Sequence, residues 1–230
     1  MSFNKVIKNH DSVKYKKYSS IIASIPNSQH GQANDAILKW CGIMSVVDEL
    51  NTKPKKILDI GSGLSHLVLA VDSLLGGTVE EALCVDLEYN GCETVLKNGK
   101  CTFIKGDFFD IERVLQTNHF DLIVDACAVT HFDTMSTHAN NDGCYRVGKI
   151  CKRLLAKNGT LVCASDVITV DDDGVKGEYI SPRSMIDSYE KSGLKLVGDY
   201  DPSREDQFIM TPHGWITSLS IAQFAFRDTV

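Results

Sequence analysis

The sequence predicts an α/β protein built on a doubly wound, mostly parallel sheet of seven strands. Three observations lead to this fold class. Short apolar runs alternate with helical stretches from residue 55 onward, each run is nearly continuously apolar, and two glycines directly follow the first run. Continuous apolar runs are typical of strands that are buried on both faces of a parallel sheet. The 230 residues fit one such domain.

The seven predicted strands differ in their patterns. The first five are short runs rich in Val, Ile, Leu and Cys, at residues 56–60, 81–87, 101–106, 120–127 and 160–165. Two more follow in "LKLVGDY" and "SLSIAQFAF". The last of these alternates imperfectly at a period of two, which indicates an antiparallel partner.

Helical stretches lie between the strands and before them. Residues 142–156 carry apolar side chains at three- and four-residue spacing, and Asn158-Gly159 is predicted to stop that helix. Ser181 and Pro182 are a typical N-cap and first residue of a later helix. The segment 1–52 is predicted to be an N-terminal helical cap, and 53–230 to be the main domain. Other predicted helices lie at 33–50, 64–75 and 110–116.

Composition excludes several classes of function. A net charge of −6 argues against a general binder of nucleic acid, which needs a basic surface, so DNA is not an expected partner. The eight cysteines contain no Cys-x-x-Cys pair, which argues against a zinc knuckle and favours a reducing, cytoplasmic location. No apolar run is long enough to span a membrane. We expect a monomer or a homodimer.

The first strand ends in "DIGSG", which predicts a ligand-binding turn. Ligands of open α/β sheets bind beyond the carboxyl ends of the strands. Gly61 and Gly63 allow the backbone to approach a ligand closely, and Asp59 can accept a hydrogen bond from an ammonium group. The third glycine of the dinucleotide-binding fingerprint is absent, which weakens a nicotinamide reading.

The next three strands also end in residues suited to a nucleoside. Asp86 can accept hydrogen bonds from both hydroxyls of a ribose. Asp107 and Phe108 suit adenine, because a carboxylate accepts from the amino group and an aromatic ring packs on the base. Small residues follow the fourth strand and leave room for a ligand, and His131 comes after them.

Five stretches resemble, in order and spacing, the motifs of class I S-adenosylmethionine-dependent methyltransferases. They are "ILDIGSG", "CVDLE", "KGDFFD", "FDLIVDACAVTHF" and "LLAKNGTLVCASD". The resemblance implies a Rossmann-like sheet, S-adenosyl-L-methionine as cofactor and S-adenosyl-L-homocysteine as product. It places the methionine end at the glycine turn, the ribose at the second strand, adenine at the third and the sulfonium at the fourth. The implied cofactor-binding residues are Asp59, Gly61, Ser62, Gly63, Asp86, Leu87, Gly106, Asp107, Phe108, Ala126, Cys127 and Ala128.

The expected acceptor is a small molecule, methylated at oxygen, such as a sugar or another hydroxylated metabolite. An alcohol acceptor needs a base, and His131 is the first candidate and His30 the second. His138 and His213 lie in predicted loops that could reach the pocket mouth. His131, Asp133 and Asp166 could converge on a hard cation, but these acids could equally be solvated, so no metal is assigned.

Three other functions remain open. A nicotinamide-dependent dehydrogenase would show a sixth parallel strand and a catalytic Tyr/Lys or His pair, and neither is visible. A protein or RNA methyltransferase would need a basic or grooved surface. The lysines near the N-terminus are the one feature of the sequence that indicates such a surface. A non-catalytic module that binds S-adenosylmethionine would have the same cofactor pocket.

Overall fold

A mixed sheet of nine strands forms the centre of the protein. The computed structural model describes residues 4–7, 12–25, 34–63, 66–88, 99–132, 142–168, 180–201 and 219–228. The strands are β1 (Asn4–Val6), β2 (Lys56–Ile60), β3 (Glu81–Asp86), β4 (Lys100–Lys105), β5 (Phe120–Ala126), β6 (Leu155–Ile168), β7 (Leu194–Leu196), β8 (Tyr200–Asp201) and β9 (Leu219–Asp228). Their order is β4-β3-β2-β5-β6-β9-β1-β8, and β7 also pairs with β9.

The sheet is parallel where the predicted site lies and antiparallel beyond it. Strands β2 to β6 pair in parallel, whereas β9 runs antiparallel to β6. The predicted fold class is therefore confirmed, including its antiparallel last strand. The count of seven strands is too low for two reasons. Strand β1 has only three residues, too few to show a pattern, and "LKLVGDY" divides into β7 and β8 around Gly198, whose φ is +77°.

Helices cover both faces of the sheet. They are α1 (Ser12–Ala23), α2 (Asn34–Leu50), α3 (His66–Leu74), α4 (Phe108–Ile111), α5 (Gly143–Leu154) and α6 (Pro182–Lys191). Short 3-10 turns span Glu112–Val114 and Val129–His131. Within the described ranges, none of the helices combines the length and the apolar character that crossing a membrane requires.

Each face of the sheet has its own core, which explains the continuous apolar runs. Helices α1, α2 and α3 pack on one face, where Leu122 and Val124 of β5 are buried. Helices α5 and α6 pack on the other face, where Ile123 of the same strand is buried. A strand that is buried on both faces has no polar side to expose, so the alternation of a half-exposed strand is missing.

Asn158-Gly159 lies within β6 instead of ending the preceding helix. Helix α5 ends at Leu154 and β6 begins at the next residue. Phe120 pairs with Leu155 but Leu122 pairs with Thr160, so β6 carries extra residues at this point. Asn158, with φ of +66°, forms part of this bulge. The prediction that the pair stops the helix is therefore wrong.

The N-terminal segment contributes to the sheet layers as well as being helical. Strand β1 pairs with β9, and α2 packs against β5, β6 and β9. Residues 26–33 lie outside the described part of the chain. That the whole of segment 1–52 caps the pocket stays a prediction.

Candidate active site

A cleft of about 330 Å³ opens at the carboxyl ends of β2, β3, β4 and β5. This is the edge at which open parallel sheets bind their ligands. Most of the predicted cofactor residues line the cleft, as does His131. These are Gly61, Asp86, Leu87, Gly106, Asp107, Phe108, Ala126, Cys127 and Ala128. Asp59, Ser62 and Gly63 lie in or behind the turn and do not line it.

The turn after β2 packs directly onto the turn after β5. Gly61 has φ of +63°, and a Cβ at this position would lie 2.1 Å from the Cβ of Ala128. The N–H groups of Gly61 and Ser62 donate to the carbonyl of Val85, at 2.8 and 3.1 Å. Only a glycine satisfies both the left-handed backbone and the close approach, so this residue sets the floor of the cleft.

Asp86 connects two turns through backbone hydrogen bonds. Its Oδ2 accepts from the N–H of Gly63 at 2.8 Å, and its Oδ1 accepts from the N–H of Glu88 at 3.0 Å. The side chain is partly exposed to the cleft. Each carboxylate oxygen has a second lone pair, so Asp86 retains the capacity to accept from a ligand.

Asp107 caps helix α4 at the far wall of the cleft. Its Oδ1 accepts from the N–H of Phe109 at 2.9 Å. The rings of Phe108 and Phe109 lie 6.1 and 5.6 Å from the ring of Phe132, and the guanidinium of Arg146 lies 3.8 Å from the centre of the Phe109 ring. No sequence signal identifies Phe132 as a residue of the cleft, because a single aromatic outside a periodic pattern does not indicate its position.

Two buried acids lie beneath the cleft floor. Asp59 is 1% exposed, and its Oδ2 has no hydrogen-bond partner among the described residues. Burial, and then the charge of Asp125, raise the pKa of Asp59 well above its usual range. Burial also raises the pKa of Asp125 to about 7, although its hydrogen bonds from the N–H groups of Ala128 and Val129 and the charge of Lys39 act in the opposite direction.

A line of four side chains runs from helix α2 to the cleft. The ammonium of Lys39 lies 2.8 Å from Oδ2 of Asp166, and the thiol of Cys127 donates to the same oxygen at 3.2 Å. The sulfur of Cys127 lies 3.7 Å from Nε2 of His131. Burial, and then the charge of Asp166, raise the pKa of the Cys127 thiol to about 11, so the group is a neutral thiol at pH 7.

The sequence did not reveal this line of contacts. The sequence indicates Asp166 only as a candidate metal ligand, and Lys39 lies 127 residues away from it along the chain. The structure does bring His131 and Asp166 together, with Cys127 as the third group, and their ligand atoms lie within 4.8 Å of one another. Asp133, His30, His138 and His213 lie outside the described residues, so their predicted roles stay predictions.

Comparisons with known proteins agree with this architecture. The family model described as "Methyltransferase domain" matches residues 51–181, more than half of the chain. No curated protein sequence matches significantly.

Several solved structures share the fold at low sequence identity. The [4+2]-cyclase SpnF is 14% identical with a TM-score of 0.59, covering 82% of this chain and 81% of its own. A second structure is that of a Burkholderia thailandensis 1,6-didemethyltoxoflavin-N1-methyltransferase, crystallised with 1,6-didemethyltoxoflavin and S-adenosylhomocysteine. It is 13% identical with a TM-score of 0.58, and the match covers 98% of this chain and 92% of that one. An arsenic(III) S-adenosylmethionine methyltransferase from Chlamydomonas reinhardtii is 16% identical with a TM-score of 0.52, and the match covers 91% of this chain and 72% of that one.

The fold alone does not decide the activity, since a cyclase shares it. The family match covers the turn after β2, the strands β3 to β6 and the cleft between them. The resemblance seen in the five sequence motifs is thereby confirmed. The chain belongs to the class I S-adenosylmethionine-dependent methyltransferase family and is an enzyme that uses S-adenosylmethionine as its cofactor.

Proposed function

We propose that the enzyme methylates a hydroxyl oxygen of a small molecule, such as a sugar or another hydroxylated metabolite. The observation that carries this proposal is the position of His131, whose half-buried imidazole lines the cleft beside Cys127. A hydroxyl group becomes a good nucleophile when a base takes its proton, and histidine is the side chain that most often does so. Among the described residues no other histidine lines the cleft.

We assign S-adenosylmethionine to this cleft, with each part of the cofactor at a different strand end. We assign the ribose to Asp86 and Leu87, whose strand end lies between the two turns. We assign adenine to Gly106, Asp107 and Phe108 at the end of β4. The carboxylate of Asp86 retains acceptor capacity for the ribose hydroxyls, and Phe108 supplies an aromatic face at the cleft wall.

We assign the methionine end of the cofactor to the turn at residues 59–63, and the sulfonium to residues 126–128. The burial of Asp59 supports the assignment of the methionine end. Its carboxyl group lies in an environment that disfavours negative charge, and its Oδ2 has no partner in the described part of the chain. A positively charged ligand group near the turn would offset that cost.

The protein residues act by positioning and by proton transfer. When bound, S-adenosylmethionine supplies a methyl group on a positively charged sulfur. His131 takes the hydroxyl proton of the acceptor as the oxygen attacks in line. Phe108 and Phe132 line the cleft and limit the access of water.

A small acceptor is favoured over RNA by the charge of the chain and by a small molecule bound in a protein of the same fold. The net charge of −6 is unfavourable for RNA. The toxoflavin methyltransferase, which has the same fold, was crystallised with a small molecule bound.

The test is a panel of small hydroxylated, amino and thiol compounds, with formation of S-adenosylhomocysteine as the readout. We expect turnover with a hydroxylated compound, and we expect His131→Gln to lower kcat about 10²–10⁴-fold, the usual contribution of a general base. His119→Gln is the matched control. That histidine is also partly buried, but it pairs with Glu81 at the opposite end of the strands, so its variant should turn over normally.

Two results would contradict the proposal. One is methylation of amino compounds alone. The other is a His131→Gln variant that loses cofactor affinity but keeps the kcat of the wild type, because His131 would then line the cofactor and not act as the base.

A further inference from the structure

We propose that Cys127 is a positioning residue, whose sulfur accepts the Nε2 proton of His131 and so leaves Nδ1 as the basic nitrogen of the ring. This inference rests on the proposed function in one respect only, which is that Nδ1 acts there as the general base. The tautomer and its cause follow from the contacts of Cys127, Asp166 and Lys39.

A count of donors and acceptors fixes the direction of each hydrogen bond. The thiol has one proton, and it is donated to Oδ2 of Asp166 at 3.2 Å, so it is not donated to the hydroxyl of Thr130, which lies 3.6 Å from the sulfur. A carboxylate that is paired with an ammonium group can only accept. The sulfur is then left as an acceptor towards the imidazole nitrogen 3.7 Å away, so Nε2 of His131 must carry the proton. The neutral ring has one protonated nitrogen, which leaves Nδ1 as the base.

Lys39 holds the far end of this chain of contacts. Its ammonium and Asp166 Oδ2 are 2.8 Å apart, and the two side chains are 9% and 12% exposed. The backbone N–H of Asp166 also donates to the sulfur at 3.4 Å, so Cys127 and Asp166 hold one another by two bonds. The position of the sulfur therefore depends on a buried ion pair between helix α2 and strand β6.

The backbone of Cys127 is held in a conformation that points to function. Its φ is +72°, in the left-handed region that residues with a side chain rarely adopt. The following turn is fixed by Asp125, whose Oδ1 accepts from the N–H groups of Ala128 and Val129. Strain of this kind persists where the surroundings enforce it, and it concentrates at active sites. Here it directs the thiol between Asp166 and His131.

The same three groups offer ligand atoms of the kinds that bind zinc. The oxygen of Asp166 that faces the thiol, however, already pairs with the ammonium of Lys39. A divalent cation would lie beside that positive charge, which is unfavourable. The observations therefore favour the hydrogen-bonded arrangement, and bound zinc is an outcome that the test must detect.

The test is nitrogen NMR of the protein labelled with ¹⁵N-histidine, without an acceptor. The seven histidines give separate signals, and His131→Gln identifies those of residue 131. We expect the Nε2–H tautomer in the wild type. Cys127→Ser should retain it, because a hydroxyl can also donate to Asp166 and accept from Nε2. Cys127→Ala should give a mixture of tautomers, whereas Cys151→Ala, which removes a buried thiol from α5, should not.

A second readout separates positioning from folding. Cys127→Ala should lower kcat about 10–100-fold, the usual cost of losing a residue that orients a functional group, which is a larger change than any in the KM for the cofactor. Cys127→Ser should recover most of the loss. If Cys127→Ala does not fold, the tautomer of the wild type and of Cys127→Ser still decides the question.

Three results would overturn the inference: an Nδ1–H tautomer in the wild type, equal tautomers in all the cysteine variants, or stoichiometric zinc that is lost in Cys127→Ala. None of these depends on which acceptor is methylated. A wrong acceptor class or an active His131→Gln variant would refute the proposed function and leave the tautomer result standing.

Discussion

The two ends of the cleft hold their polar groups by different means. At the end formed by β3 and β4, Asp86 and Asp107 accept hydrogen bonds from backbone N–H groups. At the end formed by β5, the thiol of Cys127 contacts Asp166 of the neighbouring strand β6, and Lys39 of helix α2 pairs with Asp166.

The difference shows which kind of site a sequence motif can encode. A backbone N–H is present at almost every residue, so Asp86 and Asp107 can each accept from the N–H two residues later once the local turn forms. Asp86 also accepts from the N–H of Gly63 in the turn of the neighbouring strand. A contact between side chains needs both residues, and here they are brought together from distant parts of the chain. The first end therefore tolerates substitution of its partners, and the second does not.

The largest effect should come from removing the buried ion pair of Lys39 with Asp166, which supports the second end of the cleft. Replacement of Lys39 by Met leaves the buried Asp166 without its opposite charge, which should lower the free energy of unfolding by about 3–5 kcal/mol. Urea unfolding measures this loss. Lys17→Met is the matched control, since its pair with Asp48 is largely exposed and should contribute at most about 1 kcal/mol. Equal losses in the two variants would show that the Lys39 pair is not a buried anchor.

The next largest effect should distinguish the two glycines of the first turn. In Gly61→Ala, the left-handed backbone costs about 1–2 kcal/mol and the overlap with Ala128 adds about 1–3 kcal/mol. In Gly63→Ala only the backbone cost applies, because no described atom lies within 4 Å of the new Cβ. Thermal unfolding should therefore rank Gly61→Ala as the less stable variant. The reverse order would refute the close packing of the two turns.

A smaller effect, on the affinity for S-adenosylmethionine, should come from replacing Asp86 at the first end of the cleft. Asp86→Ala should weaken binding of S-adenosylmethionine by about 1–3 kcal/mol, as measured by calorimetry, because ligand hydroxyls lose their acceptor. Asp121→Ala is the control. Its Oδ2 also accepts from two backbone N–H groups, those of Lys55 and Lys56, but at the opposite end of the strands. If both variants bind equally well, Asp86 does not hold the ribose.

The smallest effect, taken per pH unit, is a slope of stability with pH that arises from Asp125, which combines hydrogen bonds from backbone N–H groups with full burial. Its pKa rises from 3.8 to about 7 in the folded protein. Between these values the folded state holds a proton that the unfolded chain has lost, so stability falls as pH rises, by at most about 1.4 kcal/mol per unit. Asp125→Asn should flatten this part of a pH series of urea unfolding curves. An unchanged slope would assign it to other groups, such as Asp59.

The distinction between local backbone contacts and contacts of distant side chains also explains how much of the fold and the site the sequence could predict. The apolar runs predict the strands β2 to β5 to within one residue at each end, because buried parallel strands have a continuous apolar pattern. The turn glycines, Asp86 and Asp107 followed from their positions at strand ends. The contact of Lys39 with Asp166 could not be predicted, because it depends on how α2 packs on the sheet. The bulge in β6 could not either, since Asn-Gly suits a helix end and a bulge equally well.

The position of β9 between β6 and β1 has a consequence for folding kinetics. The side chain of Asn4 accepts from the N–H of Ala225, 221 residues later in the sequence, and donates to the carbonyl of Val197. On the ribosome, β1 is therefore made long before the strand that it pairs with, and the sheet can close only after β9 has left the exit tunnel. Pairings of such high contact order form late and slowly. We expect the cleft-forming strands β2 to β6 to assemble first, and the edge formed by β1 and β8 to be the last part of the sheet to order.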